Sequence, residues 1–232
     1  MVRIAVLDDG IDQKNLVVDF ACVMYRREKK EFVADIAETI DFNSHGAICV
    51  RIISDRCNRN VEIISYRIKK HDGNGNVNDL IAAFRDAIRK KVDIIHMSVG
   101  SCEKGDCNRL KRLVNKAERK KVIVVAATDN GGELTYPASF KNVIGVRHDI
   151  RGIGNKLIFI DYSEQGVDVE VCSPKELTCT DDHIEKLPFC NSYAAAVVTG
   201  IIAEMIEKDN GITMEQVKKI LREKAYKIYN TK

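Results

Sequence analysis

The chain has 232 residues, 45% of them hydrophobic, with 37 basic and 34 acidic side chains and no tryptophan. A chain of this length supports one sizeable hydrophobic core and is short for two, so a single domain over residues 1–232 is expected. The nearly cancelling charge argues against a nucleic-acid groove, and no apolar run approaches the roughly 20 residues of a membrane span, so neither nucleic acid nor a membrane is an expected partner.

The N-terminus, MVRIAVLDDGID, lacks the charged start, apolar middle and small-residue cleavage site of a secretory signal. The first strand begins almost at Met1, so the expectation is a cytoplasmic chain with no signal peptide and no pro-segment. Cys22, Cys49, Cys57, Cys102, Cys107, Cys172, Cys179 and Cys190 are then expected to be mostly thiols. Cys102 and Cys107 stand in CEKGDC with no second Cys or His pair at finger-like spacing, so no metal site is expected there.

In chain order, VRIAVLD, VEIISYRI, VDIIHMSVG, KVIVVAATD and KNVIGVRH are short apolar runs rich in β-branched residues, the pattern of buried parallel strands. Helical stretches are predicted between them: 44–54; 77–90, with Leu80, Ala83, Phe84, Ala87 and Ile88 on one face; and 107–120. This alternation predicts a doubly wound α/β sheet. Over 148–190, pieces such as KLIFIDY and VDVEVCS are separated by turns with no helix between, which predicts hairpins or irregular strands. SYAAAVVTGIIAEMIEKDN reads as a small-residue helix running to Gly211, and ITMEQVKKILREKAYKI as an amphipathic helix opened by Thr213.

Three residues could carry chemistry. Asp8 ends the first strand, where a parallel sheet presents its binding crevice, although a strand ending in Asp-Gly is also an ordinary turn. His45 starts a helix, with Gly46 beside it allowing close backbone approach; a lone His there reads equally as a cap. Ser192, in FCNSYAAAVVTG, reads by itself as an N-cap, yet a helix start also offers free N–H groups and a positive dipole end to a developing anion.

In combination these segments resemble the subtilisin family of serine peptidases along nearly the whole chain. IAVLDDGID at 4–12 is similar to the family's VAVIDSGID, and HGA at 45–47 to its HGT. IIHMSVG at 94–100 is similar to VINMSLG, VIVVAATDN at 122–130 to VVVVAAAGN, YPAS at 136–139 is identical, and CNSYA at 190–194 stands where the family has GTSMA. The chain order Asp, His, Ser is that of subtilisin.

The resemblance implies a subtilisin-like three-layer α/β fold and a serine endopeptidase acting on peptide or protein substrates, without a cofactor. In it Ser192 is the nucleophile, His45 the acid–base and Asp8 its orienting carboxylate. Asn130 carries over as the oxyanion donor beside the Ser192 amide. Ser98, Val99 and Gly100 on one side, and Ala127, Thr128 and Asp129 on the other, carry over as walls of the pocket for the residue before the scissile bond, with Thr135 near its floor. Asp129 and Glu133 are the acidic residues nearest that pocket. They would favour a basic substrate residue if Asp129 faces inward and a small one if it narrows the pocket.

Several positions depart from the family pattern. Cys190 replaces a Gly before the nucleophile pair, Ala196 and Val197 replace a Pro and a His after it, and Asp129 replaces a Gly. An alignment shifted by one would put Asp129 in the oxyanion position, where an ionised carboxylate would repel the developing charge. The calcium loop common among secreted relatives is not expected after His45, and Asp72, Asn74 and Asn76 in HDGNGN lack the distal Glu of an EF-hand. The resulting expectation is an intracellular peptidase processing precursors or leader peptides, with a separately supplied pro-segment or an inhibitor as a further partner. The alternative is a non-catalytic module that captures extended peptides along 98–100.

Overall fold

The computed structural model describes residues 1–11, 21–34, 44–57, 61–68, 75–152, 154, 156–178 and 184–230. In chain order its elements are β1 (Val2–Asp8), β2 (Ala21–Glu28), β3 (Glu31–Ala34), α1 (His45–Ser54), β4 (Val61–Arg67), α2 (Val77–Arg89), β5 (Ile94–Met97) and α3 (Lys104–Arg119). They continue with β6 (Ile123–Ala127), β7 (Ile144–His148), β8 (Ile158–Tyr162), β9 (Val169–Val171), β10 (Glu176–Thr178), β11 (Ile184–Lys186), α4 (Asn191–Lys208), α5 (Met214–Lys224) and β12 (Lys227–Asn230).

Ten strands form one sheet in the order β12-β8-β9-β7-β6-β5-β1-β4-β2-β3. It is parallel except where β2 meets β3 and β8 meets β9. The five runs rich in β-branched residues are its centre, and both of their faces are covered. Ile4 and Val6 of β1 pack with Ile48 and Val50 of α1, Ala194 and Val198 of α4 and Val217 of α5. Ala5 and Leu7 pack with Leu80 and Phe84 of α2 and Leu110 and Val114 of α3. The result is helix, sheet, helix: the three-layer α/β fold expected. Each fully buried aliphatic side chain contributes about 1.5–3 kcal/mol.

Strand parity places the chemistry. Because side chains alternate across a strand, Asp8 follows Ile4 and Val6 onto the face covered by α1 and α4, and His96 follows Ile94 onto the same face. β1 sits between β4 and β5, and the carboxyl ends of such central strands form the binding crevice of an open α/β sheet.

Some elements differ from the sequence expectation. α3 begins at Lys104, three residues before the apolar periodicity becomes readable. β2 carries enough charge to hide its alternation and β3 is only four residues long, while α5 ends at Lys224, so Lys227 and Ile228, expected in the last helix, belong instead to β12. The described residues of the 148–190 stretch form strands without a helix, as expected, including the separate β10–β11 pair. Thr213 opens α5 with a full capping box. Asn76 caps α2 by accepting from the Asn78 amide at 2.8 Å; Asp72 and Asn74 lie outside the described residues.

Candidate active site

Asp8 is fully buried at the end of β1, and His45 is the first residue of α1. Their contact is short: His45 Nδ1 lies 2.8 Å from Asp8 Oδ2. A carboxylate can only accept, so the proton sits on Nδ1 and Nε2 keeps its lone pair.

The helix end that carries His45 is fastened to β1 by complete satisfaction of its leading amides. The His45 and Gly46 amides donate to the two oxygens of Asp9 at 3.1 and 2.7 Å, and the Ala47 amide donates to Ser44 Oγ at 3.2 Å. Burial, and then the charge of Asp8, push the Asp9 carboxyl above its ordinary range, opposed by these amide bonds. Gly46 is required here for space, since a Cβ at its position would stand 2.4 Å from Gly10 O.

At α4 the cap is Cys190, whose Sγ accepts from the Tyr193 amide, and Ser192 is the second residue of the helix rather than its cap. This corrects the cap reading of Ser192 and frees its hydroxyl from that duty. Cys190 has φ −152° and ψ 155°, extended backbone that any residue adopts, so its replacement of a Gly strains nothing. The Tyr193 ring stacks on His45 with centroids 5.2 Å apart, which brings the first turn of α4 against the imidazole.

The leading amides of α4 can be accounted for one by one. The Asn191 amide donates to Asn130 Oδ1 at 3.0 Å, the Tyr193 amide to Cys190 Sγ at 3.5 Å, and the Ala194 amide to Cys190 O at 3.3 Å. The Ser192 amide has no acceptor among the described residues. Since Asn130 uses its oxygen on Asn191, its Nδ2 hydrogens remain available. Asp129 is engaged differently: its Oδ2 accepts from the amides of Gly131 at 2.6 Å and Glu133 at 3.3 Å, closing a turn. Of the two alignments, the geometry puts Asn130 beside the α4 start and Asp129 into the loop.

Asn191 joins the strands around this point. Its Nδ2 reaches Thr128 O at 3.1 Å and Asp129 O at 3.0 Å, while its Oδ1 accepts from the His148 amide at 2.8 Å. Beneath the site, fully buried His96 lies between α4 and residue 98. Thr199 Oγ1 donates to Ala195 O at 2.8 Å and so accepts from His96 Nδ1 at 2.9 Å; Nε2 then accepts from Ser98 Oγ at 2.9 Å, and Cys49 Sγ donates to Ser98 Oγ at 3.5 Å. Burial lowers the His96 pKa to about 4, against a smaller opposing pull from Asp8.

Asp8, His45 and Cys49 present ligand-type atoms within 4.8 Å of one another. Burial holds the Cys49 thiol well above its ordinary pKa, so it retains its proton as the donor to Ser98. The six cysteines whose state is described, Cys49, Cys57, Cys102, Cys107, Cys172 and Cys190, are all free.

The expected pocket walls are adjacent but close-packed. Ala127, Thr128 and Thr135 are buried, Gly100 and Glu133 are exposed, and Ser98 and Val99 are half-buried. The outer side of the 98–100 segment borders a pocket of about 430 Å³ with Ile68, Val77 and Leu80. Another, of about 530 Å³, is lined by Asn130, Arg147, His148, Lys175, Phe189 and Asn191, among others.

Asp9, His96 and Asn191 carry no individual sequence signal. Parity could have found His96, two residues after a buried Ile94; the other two act through loop geometry that no periodicity encodes.

These features, an Asp at a central strand end bonded to a His at a helix start and a Ser in the first turn of a second helix, define the subtilisin class of arrangement. The sequence model of the subtilase family (peptidase S8) matches residues 1–174, and the chain belongs to that family. Among curated relatives, "Minor extracellular protease Epr" of Bacillus subtilis (strain 168) is 27% identical over 187 residues, which cover 75% of this chain and 26% of that protein. "Intracellular serine protease" of Paenibacillus polymyxa is 29% identical over 160 residues, 62% of this chain and 48% of that one. The chain thus spans from about a quarter to about half the length of these two relatives. Among solved structures, "Sphericase" superposes with a TM-score of 0.73 at 19% identity, covering 98% of this chain and 86% of that one, a likeness of fold.

Proposed function

We propose that this chain is a serine endopeptidase that cleaves peptide bonds through an acyl-enzyme. The observation that carries the reading is the pair of unused donors, the Ser192 amide and Asn130 Nδ2, at the start of the helix whose Tyr193 ring stacks on a His45 bonded to Asp8 at 2.8 Å. Ser192 Oγ attacks the scissile carbonyl while His45 Nε2 takes its proton. The carbonyl oxygen gains charge between the two donors, and His45 returns the proton to the leaving amine. Asp8 holds the productive tautomer and stabilises the imidazolium; water then repeats the sequence on the acyl-enzyme.

We place this activity inside the cell, on precursor or leader peptides. One relative is intracellular by name, and free thiols such as Cys102 and Cys172 persist best in a reducing compartment. No described helix is long and apolar enough to cross a membrane.

A fluorophosphonate probe tests the central claim. Labelling of the wild type that is lost in Ser192→Ala, together with peptide hydrolysis that falls by roughly 10⁴-fold or more, is the expected result. Wild-type hydrolysis by a clean preparation of Ser192→Ala would overturn it.

A further inference from the structure

From the stacking at the start of α4 we infer that Tyr193 is a positioning residue, whose ring holds the His45 imidazole and stabilises it as a cation when it takes the Ser192 proton. The inference rests on the peptidase reading and adds a residue to the same site.

Where the family's GTSMA segment has Met, this chain has Tyr193. Its ring lies over His45 with centroids 5.2 Å apart and planes inclined by 26°, so the two meet face to face. That separation is inside the roughly 6 Å over which a cation is drawn to the negative face of an aromatic ring. Tyr193 is itself held in place. Its amide is bonded to Cys190 Sγ, and its side chain is buried in the cluster that contains Ala47, Ile48 and Ala194.

The imidazole is therefore restrained from three directions. Asp8 Oδ2 is bonded to Nδ1 at 2.8 Å, Asp9 accepts from the His45 amide at 3.1 Å, and Tyr193 covers one face of the ring. The bond to Asp8 alone would let the ring tilt about Nδ1, and the stacked neighbour opposes that tilt. Together they aim Nε2, the atom that must meet Ser192 Oγ. Once the proton reaches Nε2, the ring is a cation with a carboxylate at its edge and an aromatic face beside it. Asp8 is fully buried and Tyr193 only 4% exposed, and a cation–π contact is strongest away from water. Burial pushes the Tyr193 hydroxyl well above its ordinary range, so the ring stays a neutral phenol. Among the described residues, the other titratable groups around the pair are Asp8, Asp9, Cys49 and His96 on the side of His45, and Cys190 and Glu185 on the side of Tyr193.

The experiment measures kcat and KM of the full chain against pH on one neutral peptide, with fluorophosphonate labelling of Ser192 run in parallel. The acid limb of kcat/KM reports protonation of His45 in the free enzyme. Tyr193→Met installs the residue of the family segment, and Tyr193→Leu is a second replacement without a ring. Each makes the cation less stable, so the limb should move down by about one pH unit and kcat should fall about 10-fold, with KM little changed. Tyr193→Phe keeps the aromatic face and should hold the limb and the rate within about twofold of wild type. An unmoved limb in labelled Tyr193→Met or Tyr193→Leu would overturn the inference, because lost packing alone lowers the rate without moving the limb. So would labelled Tyr193→Phe that behaves as Tyr193→Met does. Failure of wild type both to label and to cleave any peptide would overturn the peptidase reading and this inference with it.

Discussion

The two flanks of Asn130 are built in opposite ways. On the side of the 98–100 segment, Gly100 lies against Thr135, and a pocket of about 430 Å³ opens past it towards Ile68, Val77 and Leu80. On the other side, a pocket of about 530 Å³ is lined by Asp129, Asn130 and Asn191, among others. Its rim carries Ile150 and Phe189, 90% and 60% exposed, the latter stacked on His148 with centroids 4.8 Å apart. The contrast teaches that one hydrogen-bonded junction can border packed chain on one flank and open space on the other. The polar groups at the junction are fixed by buried hydrogen bonds.

The largest expected effect breaks the junction shared by both flanks. Asn130→Ala should lower kcat by about 10²–10³-fold with little change in KM, the cost of one oxyanion donor, whichever flank the substrate uses. Asp129→Ala should not reproduce it. The reverse ranking in steady-state kinetics would show that the shifted alignment is correct.

A smaller effect sharpens what supports the closed flank. His96 accepts from Ser98 at the start of that wall, and burial lowers its folded pKa to about 4 from an ordinary 6.5. As pH falls, the unfolded chain takes up this proton first. Stability is therefore full above about pH 6.5 and is lost progressively down to about pH 4, by on the order of 3 kcal/mol. Denaturant midpoints measured from pH 7 to pH 4 should show His96→Gln, which lacks the titrating ring, declining less steeply than wild type. Parallel curves would refute the coupling.

The smallest effect probes the open flank. Phe189→Ala should raise KM several-fold, about 1 kcal/mol, for peptides extending beyond the scissile bond, because it removes an exposed ring from the pocket rim. Substrates that end in a simple amide leaving group should be unaffected, and equal changes for both kinds would show that the pocket is not used by the leaving side.

Much of this was legible in the sequence. Strand and helix alternation gave the three layers, since apolar periodicity is imposed locally by which face must be buried. Asp8, His45, Ser192 and Asn130 stood out because their segments follow the family's order, and IIHMSVG and VIVVAATDN align without gaps. Strand β2, beside the sheet edge, did not, as a sheet edge in water tolerates charge that masks the two-residue period, and β3 and β12, four residues each, are too short to show one.

What the sequence determined by itself is therefore the order of the layers and the identity of the residues brought to the strand ends. Tertiary structure alone decided how each polar atom is used. Asp129 turns into its own loop, Cys190 rather than Ser192 caps α4, His96 takes its tautomer from Thr199, and Thr135 reaches across to Gly100. The physical reason is that hydrogen-bond satisfaction and close packing are set by partners far apart in the chain. Asn191 meets Thr128 across 63 positions and His96 meets Thr199 across 103, and no local pattern records which atoms will face each other there.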